Sequence, residues 1–187
     1  MEIIRGKKTS FLNGCSMQSV HVDLGTGDGR FVQHLAQQNP SHYFIGVDSC
    51  RENLRKTSHR APENTLFVIA NAEMLPPELD GLAAHITINF PWGSLLTGLL
   101  NNHAGLMDGL HRMLSGTLEI RLNGGALAEA GWSLEDGTGQ ICDVLMMNGF
   151  KVARPAMLSA EALKSYPTTW AKRLAFGRDP RAVLIKA

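Results

Sequence analysis

With 187 residues, 44% of them hydrophobic and 19% charged, and a net charge of +1, the chain has the composition of one globular domain that can bury a single good core. No run of 18 apolar residues is present and Met1-Glu2-Ile3-Ile4-Arg5 does not have the form of a signal peptide, so neither a membrane span nor a secretory leader is expected. Three scattered cysteines (Cys15, Cys50, Cys142) without a C-x-x-C pair point to reduced thiols and a cytoplasmic setting; the seven histidines lack metal-ligand spacing, so no metal is expected.

In chain order, two short extended runs at 2–4 and 9–12 flank Gly6 and predict an N-terminal hairpin within an arm spanning 1–14. A strand over Val20–Leu24 feeds a glycine-rich turn and then an amphipathic helix over Arg30–Gln38. Further strands are predicted at 43–47, 66–70, 85–90, 117–122, 151–156 and 182–185, and further helices at 49–58, 94–102, 105–114, 139–147 and 160–165. Pro62, Pro76-Pro77 and Gly124-Gly125 mark loops. Such alternation demands an α/β fold: a mostly parallel, Rossmann-like seven-stranded sheet with helices on both faces, here as one domain over 1–187. Ligands in such sheets bind beyond the carboxyl ends of the strands.

The first such end carries Asp23-Leu24-Gly25-Thr26-Gly27-Asp28-Gly29, where glycines let the backbone approach a ligand closely. The spacing is G-x-G-x-G rather than G-x-G-x-x-G, and no pyrophosphate-binding helix start is spelled out, so a nucleoside without phosphates is the expected ligand. Asp48, closing the second strand, is placed to bind ribose hydroxyls. This pattern resembles motif I of the class I S-adenosylmethionine (SAM) methyltransferases. Residues after the third strand commonly border the adenine ring in this fold, which singles out Ala72 and Glu73. The fourth strand ends in Asn89-Phe90-Pro91-Trp92-Gly93-Ser94, and a second tryptophan stands far downstream in Thr168-Thr169-Trp170-Ala171-Lys172-Arg173-Leu174. Aromatic faces in polar or basic loops can hold a flipped-out base and favour a cationic product. Trp132, beside the acidic Glu135-Asp136 turn, reads instead as a structural anchor.

Charge is segregated: residues 63–143 carry a net −8 and residues 164–187 a net +5. Arg51, Arg55, Lys56 and Arg60 form a second basic group, and Lys7 with Lys8 a third. Segregation of this kind suggests a surface that faces a polyanion.

Asp23-Leu24-Gly25-Thr26-Gly27-Asp28-Gly29, Phe90-Pro91-Trp92-Gly93-Ser94-Leu95-Leu96 and Trp170-Ala171-Lys172-Arg173-Leu174-Ala175-Phe176-Gly177-Arg178 together resemble the aminoglycoside-resistance 16S rRNA methyltransferases of the Kam and Npm type, over nearly the whole chain. That resemblance implies methylation of N1 of the decoding-site adenine (adenine 1408) in the 30S subunit; a monomer is the default expectation for an enzyme docking on so large a partner. It implies that Trp92 and Trp170 sandwich the flipped adenine. Asp23, Gly25, Thr26, Gly27, Asp48, Ala72, Glu73, Phe90, Ser94 and Thr168 would line the SAM pocket. Lys172, Arg173 and Arg178 would meet rRNA, with Lys7, Arg55, Lys56 and Arg60 as further candidates. Adenine N1 carries an in-plane lone pair and is unprotonated at neutral pH, so alignment with the methyl donor, rather than a protein base, is the catalytic need.

Compared with that family, the linker after the second-strand helix is short, Leu122 to Thr138 is compact and acidic, and Asp179-Pro180-Arg181 interrupts the C-terminal basic run. Fewer phosphate contacts imply weaker and less salt-sensitive docking. Other readings stay open on the residues alone. Asn89-Phe90-Pro91-Trp92 also resembles the Asn-Pro-Pro-aromatic motif of amino-group (N6-adenine type) methyltransferases; a small-molecule methyltransferase and a non-catalytic SAM- or RNA-binding module are the remaining alternatives.

Overall fold

Alternating side chains give the sheet two unlike faces, and the unlike faces explain where each helix sits. The computed structural model describes residues 2–4, 19–176 and 181–187. Strands β1 (Glu2–Ile4), β2 (Val20–Leu24), β3 (Tyr43–Asp48), β4 (Thr65–Ile69), β5 (Ala83–Asn89), β6 (Leu114–Asn123), β7 (Ala156–Leu158) and β8 (Ala182–Lys186) form one sheet, ordered β1-β4-β3-β2-β5-β6-β8-β7. Strands β4, β3, β2, β5 and β6 are parallel; β1, β8 and β7 pair antiparallel with β4, β6 and β8 respectively. The helices are α1 (Arg30–Gln38), α2 (Arg51–Ser58), α3 (Gly93–Leu100), α4 (Ala104–Met113), α5 (Gly124–Glu129), α6 (Leu134–Met147), α7 (Ala160–Ser165) and α8 (Thr169–Ala175).

One face is aliphatic throughout: Val22, Leu24, Val47, Ile86, Ile88, Leu118 and Ile120 share the main core with Leu99 of α3, Leu110 of α4 and Leu145 of α6. On the other face, Phe44 and Phe67 pack against Val32 and Ala36 of α1 and Leu54 of α2. The alternate positions of the central strands there are polar instead: His21, Asp23, Thr87, Asn89, Glu119 and Arg121. This polar centre underlies the end of the sheet where chain order reverses, at β2 between β3 and β5, which is where doubly wound sheets bind ligands.

Gly29 closes the β2–α1 turn at φ +72°, and a Cβ there would lie 2.5 Å from the Phe67 ring. Gly29→Ala combines a left-handed backbone with overpacking, so a loss of about 2–4 kcal/mol is expected. Thermal unfolding of the variant checks this; an unchanged Tm would contradict it.

Six of the seven expected strands stand near their expected positions and the expected extended run at 2–4 is β1, but several details differ. The partner run of the expected hairpin, 9–12, lies outside the described residues; β1 itself pairs with β4. The strand expected at 151–156 is displaced to Ala156–Leu158, because Pro155 has no N–H to give to a ladder. Gly124-Gly125 opens α5 rather than a loop, since Asn123 accepts a capping bond from Ala126 N at 2.8 Å. Helix α6 starts at Leu134 behind the Ser133 cap, and its Gly137 is needed where Leu127 packs against it. Helix α8 was not foreseen; Thr168 caps it through Ala171 N at 2.9 Å. Trp132 packs partly buried against the main core, as an anchor should. No helix among the described residues is long and apolar enough to cross a membrane.

Candidate active site

A cavity of about 420 Å³ lies over the carboxyl ends of β2, β3, β4 and β5. Its floor is the glycine turn. Gly25 N and Thr26 N both donate to Val47 O, at 2.8 and 3.0 Å, which draws the turn down onto β3. Gly25 stands at φ +74°, a conformation that L side chains rarely adopt, and a Cβ would lie 2.5 Å from Leu95 Cδ2, so a side chain here would strain the turn and push the Leu95 side chain aside.

Three carboxylates line the cavity: Asp28, in the glycine turn, is half-exposed and paired with Arg30, while Asp48 and Asp23 are held by the protein's own hydrogen bonds. Asp48 accepts from Gly27 N through Oδ2 and from Cys50 N through Oδ1, both at 2.8 Å, so its orientation is fixed by backbone. Asp23 is 1% exposed, and its Oδ1 accepts from Thr87 Oγ1 at 2.7 Å and Asn89 Nδ2 at 2.8 Å. Burial raises its pKa to about 6, against the lowering effect of those hydrogen bonds and of Arg121. Behind it, His21 Nε2 lies 2.9 Å from Thr87 Oγ1, and burial holds His21 at about 3, a neutral imidazole at physiological pH.

Asn89 is the hub joining this floor to the C-terminal segment. Its Oδ1 accepts from the Tyr166 hydroxyl at 2.9 Å and from Arg121 Nη1 at 3.3 Å, while the Arg121 guanidinium sits 4.2 Å from the Tyr166 ring centroid. The acceptor that an amino-group methyltransferase would turn toward its substrate is therefore engaged within the protein. Next along the chain, Phe90 adopts φ +53°, rare for a bulky residue, and its ring is buried with Leu163, Ala171 and Ala182. The strained turn carries Pro91 and Trp92 over the cavity while the Phe90 ring pins α7 and α8 to the end of β5.

The result is a pair of indoles at the rim. Trp92 and Trp170, 43% and 44% exposed, stack with ring centroids 5.7 Å apart and planes 17° from parallel. Arg173 lies over Trp170, its guanidinium 5.3 Å from the ring centroid. A base held between two aromatic faces takes two stacking steps, about 7 Å. The pair must therefore part to admit one.

The structure brings together most residues expected from sequence. Asp23, Gly25, Thr26, Gly27, Asp48, Ala72, Phe90, Ser94 and Thr168 line the cavity with Trp92, Trp170 and Arg173. Glu73 does not. Asn71 caps a short 3-10 turn by accepting from Glu73 N at 3.0 Å, and the Glu73 carboxylate faces His103 across 4.0 Å instead. Its neighbour Asn71 takes the lining position, together with Asn53, Leu95 and Thr169, none of which sequence reasoning selected. Asn71 could have been found as the first residue beyond β4; Asn53, mid-helix in α2, gave no signal. Lys172 lies in an adjoining groove rather than in the cavity, and Arg55, Lys56 and Arg60 are exposed on or just after α2, lining neither. Lys7 and Arg178 lie outside the described residues.

The cavity fits SAM by the chemistry of its walls: a glycine-rich floor, one carboxylate fixed at the end of β3, and a buried carboxylate suited to a cationic ammonium. Its volume is also in the range of small-molecule sites. Among the described residues no group of His, Cys, Asp and Glu could hold a metal ion.

The family model NpmA, described as 16S rRNA (adenine(1408)-N(1))-methyltransferase, matches residues 3–187. A relative from Escherichia coli, a 16S rRNA (adenine(1408)-N(1))-methyltransferase, is 32% identical over 208 aligned positions, covering 95% of this chain and 94% of its own. That alignment is longer than the chain itself, consistent with shortened linkers here. A variant of the 16S rRNA (adenine(1408)-N(1))-methyltransferase of Catenulisporales acidiphilia, solved with cosubstrate SAM, superposes with a TM-score of 0.79 at 25% identity, covering 92% of this chain and 86% of that one. The aminoglycoside resistance methyltransferase NpmB1 superposes with a TM-score of 0.73 at 31% identity, covering 92% and 88%.

Proposed function

Since the chain belongs to the 16S rRNA (adenine(1408)-N(1))-methyltransferase family, we propose that it methylates N1 of that adenine in the 30S subunit, acting as a cytoplasmic monomer and conferring aminoglycoside resistance. The observation that carries this reading is the near-parallel, half-exposed Trp92–Trp170 pair at the mouth of a cavity that holds the fixed carboxylates of Asp23 and Asp48.

SAM, when bound, supplies an electrophilic sulfonium methyl group. Asp23 would face its ammonium, Asp48 its ribose hydroxyls, and Ala72 with Asn71 its adenine edge. Trp92 and Trp170 hold the target base so that the N1 lone pair points into the cavity, a proximity and orientation effect that asks for no general base. Neutral indole faces also favour the cationic methylated purine over the neutral one. Lys172 and Arg173 meet the sugar–phosphate backbone, with Arg55, Lys56 and Arg60 as more distant contacts.

Asp48→Ala should weaken SAM binding by roughly 10- to 100-fold, the loss of charge-assisted hydrogen bonds. Calorimetric titration checks it, and an unchanged Kd would remove Asp48 from the ribose. The function itself is tested by incubating the protein with methyl-labelled SAM and purified 30S subunits, then digesting the rRNA to nucleosides. Label is expected as N1-methyladenosine; label in N6-methyladenosine, or none in rRNA despite SAM binding, would overturn the assignment.

A further inference from the structure

Beside the active-site cavity runs a second depression of about 740 Å³, between α1 and the α7–α8 pair. Arg30, His34, Lys164, Lys172, Arg173 and Phe176 line it, and no carboxylate does. Thr168, Thr169 and Arg173 line both it and the cavity, so the two are continuous past Trp170. We propose that this groove is the track for the RNA strand on one side of the target nucleotide, with Arg30 and Lys164 contacting its phosphates and Phe176 stacking a flanking base. The proposal rests on the function proposed above and assigns contacts to Lys164, at the head of the C-terminal basic run, and to Arg30 on α1, an element that the basic runs in the sequence did not single out.

Three observations support it. First, four cations converge from three separate elements, in a protein of net charge +1. Lys164, Lys172 and Arg173 have no carboxylate partner among the described residues, and Arg30 only touches Asp28 at 3.3 Å, an exposed pair worth little against a phosphate. Second, Phe176 is 78% exposed at the groove, with Lys164 Nζ 5.7 Å from its ring centroid. A basic channel with an aromatic platform is how proteins hold single-stranded nucleic acid. Third, Arg173 lies over Trp170 and, with Thr168 and Thr169, lines both the cavity and the groove, which puts the groove next to a base entering between Trp92 and Trp170. Four acids of the segment 63–143 lie elsewhere: Asp108 on α4 and Glu135, Asp136 and Asp143 on α6 belong to helices that pack on the opposite, aliphatic face of the sheet. Glu119 is on the polar face but is paired with Arg121 and Lys186 and does not line the groove.

The test uses the full-length protein, 30S subunits and the double variant Arg30→Glu/Lys164→Glu. Its KM for 30S is expected to rise at least 10-fold and its dependence of log K on log salt to flatten by about two phosphate contacts. SAM affinity and Tm should match wild type. Phe176→Ala should raise KM at least 5-fold, the loss of one stacked base. A reversal of equal size at Lys151 and Arg154, which line neither depression, controls for net charge. An unchanged KM and salt slope in the groove variant, or an equal loss in the control, would overturn the proposal. If wild type fails to methylate 30S, the function falls; the groove is then decided by anisotropy titration of a short single-stranded RNA. Equal binding by wild type and the double variant would overturn it, and a 10-fold weaker binding by the variant would sustain it.

Discussion

Replacing either Trp92 or Trp170 by alanine is expected to lower kcat/KM on 30S subunits by roughly 10- to 100-fold, with little change in SAM affinity. The magnitude follows from base–aromatic stacking, about 1–3 kcal/mol per face. Because both rings are over 40% exposed, neither supports the core, and the variants should fold with near-wild-type Tm. Their positions are set from beneath: Phe90 in its strained turn and Tyr166 on Asn89 hold the two rims together. Loss at the second ring should cost less once the first is gone, because a base stacked on one side only is already poorly oriented. Steady-state kinetics on 30S with parallel SAM titrations separate the outcomes. Normal turnover in both variants would remove the indoles from base recognition; a collapse of Tm would make them structural.

Asp23→Asn should nearly abolish SAM binding while leaving the free protein as stable as wild type or more so above pH 6. The Asp23 pKa rises from an unfolded value near 3.8 to about 6 on folding. Between these values the folded chain keeps a proton that the unfolded chain has lost, so this group's contribution to stability falls as pH climbs from about 4 to about 6 and stays low above. The shift corresponds to a cost on the order of 3 kcal/mol. His21 and His85, lowered chiefly by burial, pull in the opposite direction on acidification, but they contribute to both proteins, and the difference between variant and wild type isolates Asp23. A cationic ligand that favours the ionised carboxylate should bind wild type more tightly as pH rises through about 6, and that rise should vanish in Asp23→Asn. Thermal melts from pH 4 to 8, with and without SAM, read both effects. A variant that binds SAM normally, or whose stability tracks wild type at every pH, would contradict this role.

How much of this could be read from the chain depended on whether a feature was local. The β2 strand, its glycines, Asp48 and the Pro91-Trp92 corner are each written within a few consecutive residues, and all stand where the sequence placed them. Glu73 failed because one hydrogen bond, from Glu73 N to Asn71, sets a 3-10 turn that swings its side chain toward His103. The strand expected at 151–156 failed at Pro155. Asn89 was legible as a motif residue but not as a hub, since its partners Asp23, Arg121 and Tyr166 come from three distant elements. The groove was hidden for the same reason: Arg30 and Lys164 lie 134 positions apart, and only the packing of α1 beside α7, with Phe31 stacked on Tyr166 at 5.3 Å, makes them neighbours.

The most direct test of the central claim is primer extension across the decoding site of 16S rRNA after incubating 30S subunits with the protein and SAM. Methylation at N1 blocks Watson–Crick pairing, so reverse transcriptase is expected to stop at adenine 1408, with no stop in the absence of SAM and a much weaker one for Trp170→Ala. Read-through at that adenine under conditions where the protein binds SAM and 30S, or a SAM-dependent stop at another nucleotide, would contradict the account.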